Sequence, residues 1–325
     1  MAISQAKAPR QASKRPFRMI KGVSVLSDLA DGAGAYGYPG DYPGQIYYVN
    51  NITGDSEFDG LSWETPFAQP SEAITASETF RALPSGTTND YVRNIIFIQG
   101  TGTSYTNITA LPQYCDMVGI GADPRGDGTG IVVIKGVGVD GAAGNSRGLG
   151  LYNIQFSTNG SFYAMDVTVL LRSTIENCVF GASTANSSAP ITAAFRASSH
   201  FAGNTIRNCV FGNTNGTYGC NIGFDHSGGV GNNNLFENNF FMGIVHAVKV
   251  GAAINDNGAL WKNNVMHSHL GATQPTTAGL QMGAHSIAAG NFVCGADAIT
   301  EAAAAQTLGN VVVASGNGIW ETELA

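Results

Sequence analysis

The chain has 325 residues, of which only 12% are charged, while glycine alone contributes 43. Apolar residues still make up 43% and gather in short β-prone runs such as Asn94 to Ile98 and Ile131 to Ile134, which excludes a disordered chain. No apolar run approaches the ~18 residues of a bilayer span, and the N-terminus carries no hydrophobic signal core, so the sequence predicts a protein not held in a membrane, and either made and assembled in a cytosol or exported by a route that uses no cleaved peptide.

Residues 1–45 form the first segment. Within it, residues 1–21 hold Lys7, Arg10, Lys14, Arg15, Arg18 and Lys21 and no acid, a charge of +6, against −13 for residues 22–325. A Gly/Tyr/Pro stretch from Gly32 to Gly44 follows. A basic arm on an acidic body is suited to an acidic protein surface. Nucleic acid is the weaker expectation, because only Phe17 interleaves the basic residues and phosphate would repel the body.

Residues 46–90 read as a cap. Asp55, Glu57 and Asp59 alternate in a loop that could bind Ca²⁺, but the loop lacks a full EF-hand pattern, so a solvated turn is preferred. Pro66 to Leu83 places Ala73, Ile74, Ala76 and Phe80 at helical spacing, with Ser71 as the candidate N-cap.

Residues 91–325 carry a degenerate repeat. Leu151 to Phe156, Ile175 to Phe180, Ile206 to Phe211, Phe236 to Phe241 and Trp261 to Met266 share one pattern: apolar, polar, Asn, small or Asn, apolar, apolar. Weaker copies are Ala288 to Val293 and Thr307 to Val312. The last residues of successive copies lie 24, 31, 30, 25, 27 and 19 apart. A strand, a bend and a strand recurring every ~25 residues describe one coil of a parallel β-helix, roughly nine coils and a rod of ~40 Å. The expected fold is all-β: a right-handed single-stranded parallel β-helix with an extended N-terminal arm and a short capping helix.

Columns of this repeat predict structure. Asn153, Asn177, Asn208, Asn238 and Asn263 should take the left-handed bend and bond amide to amide as a ladder. The preceding position reads Tyr152, Glu176, Arg207, Glu237, Lys262, an outward ion-pair ladder. Phe180, Phe211, Phe241 and Met266 should stack inside. Cys178 and Cys209 should stack as well. With Cys115, Cys220 and Cys294 they form no C-x-x-C pair, which favours buried free thiols over disulfides or zinc. The N-x-S/T sequons at Asn51, Asn107, Asn159, Asn186 and Asn215 read as turn chemistry.

Tyr48-Val49-Asn50-Asn51-Ile52-Thr53-Gly54-Asp55-Ser56-Glu57-Phe58-Asp59-Gly60-Leu61-Ser62-Trp63-Glu64-Thr65-Pro66-Phe67, followed by Ser71-Glu72-Ala73-Ile74, resembles the opening of pectate-lyase-like β-helix proteins. With the repeat, the resemblance covers about 270 residues and is specific for fold, not for activity. Lyases, hydrolases, phage tailspikes, adhesins and inert virion proteins share it. The arm-then-solenoid layout is similar to that of phage virion proteins, and the resemblance implies a homotrimer. The expected function is a non-enzymatic bacteriophage virion protein, a capsid decoration or short spike assembled in the host cytoplasm. It would dock through its arm on a capsid or tail. The alternative is a polysaccharide depolymerase or an adhesin that binds a host glycan.

The search for chemistry supports the first of these. No cofactor motif is present; Gly119-Ile120-Gly121 precedes no helix pattern. After Arg207 the bases are Lys249 and Lys262, and the later acids Asp225, Glu237, Asp256, Asp297 and Glu301 are scattered. Asp225-His226 is the best catalytic-looking pair, with a polar turn before Gly228–Gly231 as the preferred reading. His267 and His269 would share a strand face but lack a third metal ligand. Arg125-Gly126-Asp127 lies in a Gly-rich turn.

Overall fold

The computed structural model describes residues 44–82, 92–106, 108–125, 130–136, 139–140, 145–158, 163–182, 190–212, 219–251, 254–268, 275–314 and 320–322, together with two short strands at 18–20 and 23–25. Its one described helix, α1 (Pro70–Arg81), is far too short to cross a membrane.

Each coil alternates strands and corners. In one coil Gly150–Tyr152, Gln155–Thr158, Tyr163–Val167 and Val169–Leu171 follow in order, and Thr174–Glu176 then pairs in parallel with Gly150–Tyr152. Stacking builds four sheets among the described residues. Sheet I has ten strands, from Ile46–Val49 to Gln306–Leu308. Sheet II also has ten, from Tyr105–Thr106 to Trp320–Thr322. Sheet III has seven, from Val139–Asp140 to Ile299–Thr300, and sheet IV has four, from Asn145–Arg147 to Gly231–Asn232. This is a right-handed parallel β-helix, the hand that parallel crossovers adopt. Ten rungs of sheet I span about 43 Å at the strand spacing. The solenoid begins earlier than residue 91: Ile46–Val49 pairs in register with Ile95–Ile98, so the cap is inserted after the first rung.

The interior is filled by columns. Phe156, Phe180, Phe211 and Phe241 stack with ring centroids 5.4, 5.1 and 4.7 Å apart. Phe236 and Trp261 stack at 3.7 Å. Met266 continues the first stack, buried beside Phe241 in the sheet register. Cys115, Cys178, Cys209 and Cys220 are buried free thiols, and Cys294 is a half-buried one. The Cys209 thiol lies against that of Cys178, and burial pushes its pKa well up.

The corner between sheets I and II holds Asn153, Asn177, Asn208, Asn238 and Asn263 at φ 54 to 59°, and Gly290 and Gly309 continue it at 63 and 60°. The left-handed bend is therefore as expected, but the amide ladder mostly is not in this column. Asn177 Nδ2 donates to Asn153 Oδ1 at 2.9 Å. The extended ladder runs one residue later, through Asn239, Asn264, Asn291 and Asn310. There each Oδ1 accepts a backbone N–H from the preceding coil at 2.9 Å, and each Nδ2 donates to a carbonyl deeper in the core at 2.9–3.0 Å. The physical reason is burial. A left-handed residue turns its side chain toward solvent, as at exposed Asn238 and Asn263, while the next residue points inward.

A second left-handed corner, between sheets IV and I, comprises Tyr114, Gly148, Arg172, Gly203, Asn233, Gly258, His285 and Ala304 at φ 46 to 71°. Here large residues alternate with glycines along its first six positions. A Cβ on Gly148 would lie 2.8 Å from the Tyr114 ring, and one on Gly258 would lie 2.8 Å from Asn233 Oδ1. Each long side chain lies over the glycine of the next coil.

Helix α1 closes the first rungs. Ala73 and Ile74 are buried in the core, and Tyr47 OH donates to the Ala76 carbonyl at 3.2 Å. Asn94 Nδ2 donates to Ser77 O and Oγ at 3.0 and 2.9 Å. The N-cap is Gln69, not Ser71, because Pro70 already opens the helix and Glu72 Oε2 accepts the Gln69 N–H at 3.0 Å. Phe80 is 48% exposed; Ser77 and Arg81 face inward in its place. At the other end Trp320–Thr322 pairs antiparallel with Val311–Val313.

In the arm, Arg18–Ile20 pairs antiparallel with Val23–Val25, a hairpin where an extended segment was expected. Lys7, Arg10, Lys14, Arg15 and Lys21 lie outside the described residues, as do His269 and the Gly126-Asp127 part of the tripeptide. Arg125 is bonded within its own turn, donating from Nε to Asp123 Oδ1 at 3.0 Å. Gly119 lies in the strand Cys115–Ile120, where a Cβ would meet the Asn153 carbonyl oxygen at 2.0 Å.

Candidate active face on sheet III

The strand Cys220–His226 carries both members of the expected pair, so Asp225-His226 is the end of a strand and not a turn. Successive side chains of a strand point to opposite faces. Asp225 faces outward in register with Arg196 and Lys249; His226 faces the core in register with Ala197 and Val250. The two therefore cannot act together on one substrate.

His226 meets a different acid. A Cβ placed on Gly231 would lie 2.4 Å from Asp256 Oδ1 and 2.8 Å from His226 Cε1, so both groups crowd one interior point that glycine leaves open. His226 Nε2 is 3.1 Å from the Ser199 carbonyl, and burial lowers its pKa. Asp256 is 1% exposed, and burial pushes its pKa up to about 7 against the smaller opposing pull of Asn234 and Trp261. Its Oδ2 and the Trp261 indole N–H both lack a hydrogen-bond partner. Sealed inside the rod, this cluster bears on stability rather than on a substrate.

The outer face of sheet III presents the stronger arrangement. Asp166, Arg196, Asp225 and Lys249 occupy one register column on four consecutive coils. Arg196 donates from Nε to Asp166 Oδ1 at 2.8 Å and pairs through Nη2 with Asp166 Oδ2. It also donates from Nη1 to Tyr163 OH at 2.7 Å, with its guanidinium 4.0 Å above the Tyr163 ring. Asp225 is the odd member. It is 7% exposed and its Oδ1 is buried without a hydrogen-bond partner. Burial raises its pKa, while Lys249 and Arg196 pull it down. His246, three residues before Lys249 on the same strand, has an unpartnered Nδ1 and a pKa lowered by burial and by Lys249. His246 has the opposite strand parity to Lys249 and so faces away from Asp225; the partly desolvated Asp225 carboxyl between two cations can by itself exchange a proton or hold a polar substrate.

This column carries a sequence signal. Its members recur 30, 29 and 24 residues apart, close to the 31, 30 and 25 of the phenylalanine column. Following the repeat into its third strand would have exposed the alternating charges.

The remaining expected sites resolve simply. Glu176 accepts from Arg207 at 2.9 Å and Glu237 from Lys262 at 2.9 Å, the outward ion pairs of sheet I. Tyr152, at the head of that column, is instead buried against Ile95, Phe97 and Val118. Asp55 Oδ1 accepts the Glu57 N–H at 3.0 Å. Asp59 Oδ1 accepts the Leu61 N–H at 3.1 Å and the Thr65 hydroxyl at 2.7 Å, and these bonds lower its pKa. These carboxylates stabilise turns. Among the described residues no three His, Cys, Asp or Glu side chains converge as metal ligands.

Fold and face together define a parallel β-helix protein with a charged outer sheet. No protein-family model matches the chain, and the comparison with curated proteins gives no match. A solved structure similar to it is the crystal structure of the pectin methylesterase from Aspergillus niger in deglycosylated form. That protein is 12% identical over 88% of this chain and 92% of its own, with a TM-score of 0.43.

Proposed function

We propose that the protein is a non-enzymatic structural protein of a bacteriophage-like virion, a capsid decoration or short spike. Its basic arm docks on an acidic capsid or tail surface, and the β-helix projects from it. The observation that carries this reading is the continuity of the columns. Ring stacks and the buried amide ladder run from coil to coil, and outward charges at Glu176–Arg207, Glu237–Lys262 and Asp166–Arg196 close between coils. A rod knit in this way is stiff along its axis, as a projecting element requires. An outward apolar column on sheet II, Val179, Val210, Phe240, Val265, Phe292 and Val311, offers a surface for three copies side by side. Phe240 in it is 44% exposed. Deletion of residues 1–21 is expected to leave a folded rod, by circular dichroism and melting, that no longer joins its particle. Normal incorporation of the truncated chain would refute the anchoring role.

A second reading, a polysaccharide depolymerase, is favoured by one observation: the Asp225 carboxyl held between Arg196 and Lys249 with an unpartnered oxygen. Reducing ends and unsaturated products are to be measured on a panel of bacterial glycans. Turnover that falls at least ~100-fold in Asp225→Asn, the scale of losing a positioned acid or base, would establish the enzyme and sink the purely structural reading. Absence of product from every glycan would remove the second reading.

A further inference from the structure

The outer face of sheet IV is a groove of about 480 Å³. Its floor is the register column Arg147, Leu171, Ala202 and Asn232, one residue from each of four consecutive coils. Three steps of the strand spacing make it about 14 Å long. Beside the floor runs the left-handed corner, whose glycines keep the groove shallow and whose Tyr114, Arg172 and Asn233 form its wall.

Two observations set this groove apart. Of the seven arginines with described side chains, five pair with a carboxylate. The two that do not, Arg147 and Arg172, both line this groove and both are exposed. At its far end Asn232 has a side-chain oxygen without a hydrogen-bond partner. The χ2 torsion of Asn is soft, so that oxygen can turn to accept from a ligand hydroxyl.

We propose that this groove binds an acidic oligosaccharide. The two guanidiniums take its carboxylate or sulfate groups, which guanidinium geometry matches with paired N–H donors. Asn232, at the other end of the floor, accepts a hydroxyl. A bare anion would engage the arginines and leave Asn232 unsatisfied. This site is separate from the Asp225 face, since it lies on sheet IV and its ligand needs no chemistry.

The test is calorimetric titration of the full chain with a hexameric oligouronate. Saturable binding is expected, weaker at high salt, and weaker for a neutral hexasaccharide. The double variant Arg147→Gln with Arg172→Asn should lose at least about tenfold in affinity while melting like the parent, because both side chains are exposed and Asn tolerates the left-handed bend. The proposal is overturned by any of four results: no binding of the oligouronate, unchanged affinity in the double variant, equal competition by inorganic phosphate, or tighter binding of a hexaglutamate peptide.

Discussion

Asn264→Ala is expected to lower the unfolding free energy by about 3 kcal/mol or more, whereas Asn238→Ala should cost about 1 kcal/mol. The two residues occupy neighbouring columns of the same corner, one buried and one exposed. Asn264 Oδ1 accepts from Asn239 N and Nδ2 at 2.9 and 3.0 Å. Its Nδ2 donates to Phe236 O and Asn291 Oδ1, each at 3.0 Å. Removing the amide takes this partner from the Asn239 N–H and the Phe236 carbonyl in a dry interior, where each unsatisfied group costs about 1–3 kcal/mol, while Asn239 Nδ2 and Asn291 Oδ1 keep one partner each. Asn238 loses only its tolerance for φ 56°. Asn238→Gly should therefore be close to neutral, and Asn264→Gly should not. Denaturant midpoints of the four variants decide it. Equal losses at 264 and 238 would show that the ladder carries no special weight.

Asp256→Asn should stabilise the protein at pH 8 by up to about 4 kcal/mol, with the gain vanishing near pH 4. Burial raises the Asp256 pKa from 3.8 to about 7. The folded state thus binds a proton that the unfolded state has released between those values. Stability is complete below the unfolded pKa and falls as pH rises from about 4 to about 7, after which it levels off. Asparagine stays neutral throughout and removes that loss. His226 acts in the opposite sense: its folded pKa is lowered, so its contribution is lost as pH falls below its ordinary value of 6.5. Melting temperatures of parent and Asp256→Asn between pH 4 and pH 8 give the answer. Parallel profiles would mean that Asp256 is not the titrating group.

The two predictions also mark where reading the chain by columns succeeds and where it stops. Position 238 was readable because Asn recurs there in five coils at a bend that few other L-residues accept. Position 264 shares its column with Ile154, Cys178 and Cys209 in earlier coils, so no single residue type announced the ladder. The approach of His226 and Asp256 to one point beside Gly231 had no sequence signal, because the two lie 30 residues apart across a coil boundary.

The sequence by itself determined the parallel β-helix, the inward phenylalanine column, the left-handed asparagine corner and the outward pairs of sheet I. All of these sit in one short segment whose internal spacing is constant, so residue type and register coincide there. The tertiary structure decided the rest. It moved the start of the solenoid to Ile46, shifted most of the amide ladder inward by one residue, and turned Asp225 and His226 to opposite faces. It also gathered Asp166, Arg196, Asp225 and Lys249 on sheet III and left Arg147 on sheet IV and Arg172 at the corner beside it without a carboxylate partner. These residues follow loops whose lengths differ from coil to coil, with repeat spacings between 19 and 31. Only the hydrogen-bonded register of the stacked strands fixes which of them become neighbours, and which point into the rod or out of it.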